Sequence, residues 1–222
     1  MRPLNPQSTE EKGLSNFVMT SLREAILNGH FEPGEKLDQD RIAAELNVSR
    51  TPVREALKVL ETEGFVEILP YRGAFIPTIC RKDIHEVFEV RWVIEPEIIR
   101  QAVPILPDEV LQHFNIILSE TGFLLAPGGD RRFYQIDQEF HGTIATYCQN
   151  KLFKEILDKI NNRIVRVRRF ALRQPGNHLD NSQEEHVAIL FAMCQHDPEE
   201  AAARMERHLK NSATRIMNRM TD

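Results

Sequence analysis

The apolar positions divide the chain into two stretches of different character. In residues 14–28, Val18, Leu22, Ala25 and Ile26 recur at helical spacing, and Gly29 supplies a stop. Pro33-Gly34 marks a turn, and a short apolar-periodic stretch follows from Asp38 to Leu46. A third helix is expected after Ser49, a natural N-cap. Pro52 falls in its first turn, where a missing N–H costs little, and Gly64 ends it. VEIL and AFIPT are short β-prone runs joined by Pro70-Tyr71-Arg72-Gly73 as a tight turn. The stretch therefore reads helix, helix, helix, hairpin.

From Arg81 onward the pattern is helical. Breaks at Pro104 to Pro107, residues 126–129, Cys148 to Lys151, residues 174–177 and Asp197-Pro198 leave six helices, expected at 81–103, 108–125, 130–147, 151–173, 179–196 and 198–220. The predicted fold is mostly α. A disordered tail covers 1–13, three helices plus a β-hairpin cover 14–79, and an all-α bundle covers 81–222.

Composition narrows the function classes. With 222 residues, 41% hydrophobic and 27% charged, the chain has the balance of a globular protein of one large or two small domains. No stretch reaches the ~20 apolar residues of a membrane span, so no membrane partner is expected. The N-terminus, MRPLNPQSTEEKG, lacks a secretory core, which points to the cytoplasm. Cys80, Cys148 and Cys194 are distant and odd in number, and read as thiols in a reducing compartment. The net charge is −5, and residues 1–79 hold nine Lys/Arg against twelve Asp/Glu. Bulk charge therefore does not mark a nucleic-acid binder, and the placement of the basic residues has to decide.

On the third helix, Arg50, Arg54 and Lys58 recur every four residues and share a face, while Val53, Leu57 and Leu60 form the opposite stripe. A helix with an apolar back and a cationic front suits the major groove of double-stranded DNA. Arg can hold a guanine edge with two hydrogen bonds, and Ser49 and Thr51 can reach phosphates near the helix start. Arg72 beside Gly73 at the hairpin tip could lie along the backbone or minor groove. A solvated charged face is the alternative reading of the three cations alone.

The run PGEKLDQDRIAAELNVSRTPVREALKVLETEGFVEILPYRGAFI closely resembles the winged helix-turn-helix of GntR-family regulators. The resemblance implies operator contacts by Ser49, Arg50, Thr51 and Arg54 from the recognition helix and by Arg72 and Gly73 from the wing. Some relatives carry a basic contact residue at the start of helix two, where this chain has Asp40. Arg41, next door, is turned about 100° away.

Along the whole chain, His30, His85, His113, His178 and His196 lack an acidic or histidine partner at ligand spacing. IDQEFH differs, because it sets Asp137 and His141 four apart on one helix face, as one metal ion or a simple ion pair would use them. His186 in QEEHVAIL and His208 in MERHLKNS follow on two later helices. Together these segments are similar to the ligand set of the FadR-type C-terminal domain of GntR regulators, called FCD. That resemblance implies one divalent metal per chain, Zn²⁺ or Ni²⁺, held by Asp137, His141, His186 and His208. It also matches Arg91, in EVFEVRWVIEPEIIRQA, to an arginine that clamps an effector carboxylate. A surface pair with Glu95 at i,i+4 is the other reading of Arg91, and Pro96 departs from the family pattern.

The expected function is a homodimeric, sequence-specific DNA-binding repressor of operator DNA, controlled by a small carboxylate, and not an enzyme. Two alternatives stand beside it. One is a metal-dependent hydrolase using the Asp/His cluster, against which four protein ligands would fill a tetrahedral site. The other is a dimeric DNA binder without a ligand.

Overall fold

A computed structural model describes residues 7–120, 129–173 and 179–220. The chain divides into two compact units, Met1–Ile79 and Cys80–Asp222.

The first unit contains α1 (Gln7–Asn28), β1 (Lys36–Leu37), α2 (Gln39–Glu45), α3 (Arg50–Thr62), β2 (Glu67–Leu69) and β3 (Gly73–Phe75). Helix α1 opens at Gln7, so residues 7–13 of the expected disordered tail are helical instead. The segment QSTEEK is polar but favours a helix, with its glutamates toward the end where negative charge suits the dipole. Residues 1–6 lie outside the described residues. Asp38 caps α2, accepting from the backbone N–H groups of Asp40 and Arg41, and these bonds hold its carboxyl below the ordinary carboxylate value.

The hairpin gains a strand that the sequence pattern did not reveal. Strand β1 pairs antiparallel with β3, giving the order β1-β3-β2, with Leu37 opposite Ala74 and Ile68 opposite Ala74 on the other side. Two residues are too short to display a period-2 alternation, so β1 is defined by its partner rather than by its own sequence. Val18, Leu22 and Ile26 of α1, Ile42 of α2, and Val53, Leu57 and Leu60 of α3 pack with Phe65, Val66 and Ala74 into one core. Each large side chain buried there contributes roughly 1.5–3 kcal/mol.

The second unit is all helical among the described residues: α4 (Arg81–Ala102), α5 (Asp108–Ser119), α6 (Gly129–Thr146), α7 (Lys151–Arg173), α8 (Leu179–Cys194) and α9 (Pro198–Met217). A 3-10 turn at Val103–Ile105 follows α4. Helix α5 ends at Ser119, short of the expected 125, and residues 121–128 lie outside the described residues, as do 174–178 with His178. Helix α8 stops at Cys194 because His196 takes a left-handed φ of 52° and Asp197 caps α9. Pro96 is buried inside α4, which continues to Ala102 without interruption of the helix. Helix α4 packs along α9 and also meets α6 and α7, and α8 packs on α9, so α4, α6, α8 and α9 surround a common interior. Among the described residues, no helix is long and apolar enough to cross a membrane.

Candidate functional site

In the first unit, the apolar stripe of α3 fixes which face turns outward. Val53, Leu57 and Leu60 are buried, and Arg50, Thr51, Arg54 and Lys58 are exposed as a consequence of the same periodicity. Ser49 occupies the N-cap position, but its hydroxyl makes no capping bond to the helix. Arg50 does not stand alone, because its Nε pairs with Asp40 Oδ1 at the start of α2. These side chains are 71% and 59% exposed, so the pair is a weak one in water. Arg41 instead pairs with Glu45 along α2.

At the tip between β2 and β3, Arg72 N–H donates to the Leu69 carbonyl at 3.1 Å and Tyr71 takes a φ of 61° with its ring fully in solvent. Gly73 has φ 106°, a backbone conformation that favours glycine, while a Cβ there would meet only the flexible end of Lys36, Cε at 3.3 Å. The Arg72 guanidinium lies 5.7 Å from the centre of the Phe75 ring, an exposed cation resting on an aromatic base. Sequence reasoning named Ser49, Arg50, Thr51, Arg54, Arg72 and Gly73, but not the Asp40 contact with Arg50 or the Phe75 ring beneath Arg72.

In the second unit, Asp137 and His141 of α6, His186 of α8 and His208 of α9 come together. All four are buried, and one ligand atom from each lies within 4.8 Å of the others. Asp137 Oδ1 is 3.5 Å from His141 Nε2 and 3.4 Å from His186 Nε2. Ligands bound at about 2.0–2.2 Å around a tetrahedral ion stand roughly 3.3–3.6 Å apart, so these two separations match two of the six edges of such a site. The chemistry of the orphaned atoms agrees. His141 Nε2 and both ring nitrogens of His186 are buried without a hydrogen-bond partner, and a divalent cation would relieve that costly state at one nitrogen of each ring. The residues present thus fit a metal ion held by one carboxylate and three imidazoles.

Around this cluster lies a second layer of charge that sequence reasoning largely missed. Glu95 of α4 accepts from His141 Nδ1 at 2.5 Å through Oε2 and from Arg91 Nε at 2.5 Å through Oε1. On the opposite side, Glu185 of α8 accepts from His208 Nδ1 at 2.8 Å, from Asn211 and from both terminal nitrogens of Arg215. The Arg91–Glu95 pair expected at i,i+4 therefore forms, but it is buried, not on the surface: the two side chains are 5% and 3% exposed. The spacing identified that pair, whereas nothing in the sequence connected Glu95 with a histidine 46 positions later.

Titration follows the same geometry. Burial would raise the Glu95 carboxyl, but Arg91 and then His141 outweigh it and hold it far below the usual range. Burial opposes charge on His141 too, yet Glu95 outweighs it and the ring is raised. Burial lowers His186, and burial together with His186 next door pushes His208 down to about 3. Burial acts upward on Glu185, but Arg215, His208 and Asn211 bring it down to about 2. His186 and His208 are thus neutral at physiological pH, the form in which imidazole binds a cation.

Arg91 lines two cavities beside the cluster. One of about 140 Å³ is bounded by Glu95, Gln138, His141, Leu157 and Asn161, and one of about 40 Å³ by Asp137, Ser182, His208, Ser212 and Arg215. Its Nη2 is buried without a hydrogen-bond partner. A larger cavity of about 460 Å³ lies between α5 and α8 but contains none of the predicted site residues. His113, read as lacking a partner, contacts Glu139 of α6 at 2.6 Å.

Comparison with known proteins defines the class. Residues 14–76 match the bacterial regulatory proteins of the gntR family, and residues 86–211 match the FCD domain. The chain belongs to the GntR family of transcriptional regulators, with an FCD domain as its second unit. It is 30% identical over 191 residues, 85% of this chain and 87% of the relative, to the Nta operon transcriptional regulator of Aminobacter aminovorans. It is 28% identical to the Exu regulon transcriptional regulator of Escherichia coli, over 96% of this chain and 88% of that one. A solved GntR-type regulator from Rhodococcus sp. RHA1 shares the fold with a TM-score of 0.79 at 24% identity, covering 93% of this chain and 99% of that one. The family and these relatives are transcriptional regulators and not enzymes, so the hydrolase alternative is dropped.

Proposed function

We propose that this regulator is a homodimeric, cytoplasmic repressor whose hold on a near-palindromic operator is governed by a small carboxylate effector in a metal-containing FCD domain. The observation that carries the effector half of this reading is the buried Asp137, His141, His186 and His208 cluster, with its ligand atoms within 4.8 Å. One divalent ion, Zn²⁺ or Ni²⁺, suits three nitrogens and one oxygen. When bound, it supplies a fixed positive charge. The unpaired Arg91 Nη2 supplies a second, so an anion beside them is favoured electrostatically. Arg91 remains effector-facing in this reading even though its Nε is committed to Glu95.

For operator binding, Arg50 and Arg54 read base edges, Ser49 and Thr51 hold phosphates, and Arg72 with Gly73 touches the backbone from the wing. The Ser49 hydroxyl, which does not cap its helix, suits a phosphate contact. A two-fold dimer doubles these few contacts and matches symmetric half-sites.

The test has two arms. Elemental analysis of gently purified protein should find one divalent ion per chain. DNA selected from a random pool should be released when small carboxylates are screened, and Arg91→Ala should keep DNA binding but lose that response. Wild type that stays metal-free after incubation with Zn²⁺, Ni²⁺ and Mn²⁺ removes the metal from this reading. A monomer that holds one half-site tightly removes the dimer.

A further inference from the structure

The three imidazoles of the cluster are not held in the same way. His141 and His208 each turn Nδ1 toward a carboxylate, Glu95 at 2.5 Å and Glu185 at 2.8 Å. His186 has no such partner, because its Nδ1 lacks a hydrogen bond and only its Nε2 approaches a carboxylate, Asp137 Oδ1 at 3.4 Å. It is clamped between aromatic rings instead, stacked on Phe133 at 5.9 Å and tilted against Phe140 at 5.1 Å. An ionised carboxylate can only accept, so a neutral histidine facing it through Nδ1 carries its proton there and leaves Nε2 bare. Each carboxylate is in turn tied to an arginine on its far side, Arg91 for Glu95 and Arg215 for Glu185.

Resting on the metal reading above, we infer that Glu95 and Glu185 are positioning residues. Through two Arg–Glu–His chains, they fix His141 and His208 as Nδ1–H tautomers that present Nε2 to one cation. The chains come from different elements. Arg91 and Glu95 reach from α4 to α6, and Glu185 and Arg215 join α8 to α9. Neither carboxylate touches the cation. Each sets which nitrogen is available and raises its basicity, an effect that typically changes metal affinity by roughly 10–100-fold. His186 has ring packing to fix its plane but no carboxylate at Nδ1 to fix its tautomer.

Nitrogen-15 NMR of the imidazole rings in metal-free protein at about pH 8, above the ordinary histidine range, reads the tautomers directly. Wild type should show His141 and His208 protonated at Nδ1. Glu95→Gln, whose amide can either donate or accept, should scramble His141 and leave His208 alone, and Glu185→Gln should do the reverse. Zn²⁺ affinity, measured by competition with a chelating dye, should fall roughly 10–100-fold in each variant. Simultaneous scrambling of both rings by either substitution would mean general loosening and overturn the inference, as would unchanged tautomers or Zn²⁺ affinity within about two-fold of wild type. If Glu95→Gln does not fold, Glu95→Asp keeps the charge and shortens the reach, and it should fold yet bind Zn²⁺ more weakly. Undiminished binding there also overturns the inference. Failure of wild type to bind any divalent ion is a separate result, because it sinks the metal reading itself whatever the variants do.

Discussion

The two units treat charge in opposite ways. In the N-terminal unit, Arg50, Arg54, Lys58 and Arg72 stand in solvent on an apolar base. In the FCD domain, Arg91, Glu95, Asp137 and three histidines are sealed inside. An exposed cation costs the fold almost nothing and is available to an outside partner. A buried charge must be balanced within the fold, so its neighbours become part of the site. It follows that function and stability should separate cleanly in the first unit and be inseparable in the second.

The sharpest test of that contrast is Glu95→Ala, which strands Arg91 in the interior. Breaking a buried pair this way costs about 3–5 kcal/mol, and urea unfolding of the FCD transition should record it. A loss below about 1 kcal/mol would place this pair with ordinary surface pairs and erase the contrast. Arg54→Ala should behave in the opposite manner. Operator affinity should drop by about 1–3 kcal/mol with relaxed base preference at one position per half-site, while stability stays within about 0.5 kcal/mol of wild type. Operator titration and thermal melting on the same samples measure both.

Acid should distinguish the units as well. His186 and His208 are depressed in the fold, so between the unfolded imidazole value of about 6.5 and the folded value of about 3 for His208 the unfolded chain takes up protons that the folded one refuses. Stability therefore falls as pH drops below about 6.5, by about 2 kcal/mol at pH 5 for His208 alone. His141 is raised and works in the other direction, since the stability it lends is present in acid and lost as pH rises through its folded value. That contribution is already complete below about 6.5, so it does not offset the depressed rings there, and melting of metal-free protein from about pH 6.5 to mildly acid pH should show the FCD transition falling. A flat profile would mean that these rings are hydrated, not buried.

Smaller effects sharpen the N-terminal half. Arg72→Ala should weaken binding almost uniformly across DNA sequences and reduce the slope of log affinity against log salt by about one phosphate contact. A changed base preference would move Arg72 from the backbone into a groove. Asp40→Asn should have the least effect, below about 1 kcal/mol, because the Arg50–Asp40 pair is solvent-exposed. Removing an acidic charge beside the recognition helix should nonetheless favour DNA, and weaker operator binding would show instead that Asp40 holds Arg50 in place for reading.

Most of the architecture was legible along the chain. The 3.6-residue spacing of Val53, Leu57 and Leu60 determines both the core of the first unit and, by exclusion, the outward face of Arg50, Arg54 and Lys58. Breaks in the helical pattern, most of them at Pro or Gly, located the six helices of the second unit. Strand β1 was hidden because Lys36-Leu37 is a strand only by virtue of β3, and the first turns of α1 were hidden because QSTEEK is polar on every side. In the FCD domain, the four-residue spacing joined Asp137 to His141 and Arg91 to Glu95, since a single helix carries each pair.

What sequence alone determined, then, is whatever one element can fix by its own periodicity: the outward cationic face of α3, the helix breaks, and each i,i+4 pair. Only tertiary structure decided that Glu95 reaches His141, that Glu185 joins His208 to Arg215, and that Arg91 is buried rather than exposed. The reason is that these relations depend on how α4, α6, α8 and α9 pack, and helix packing couples positions whose separation along the chain carries no information about their distance in space.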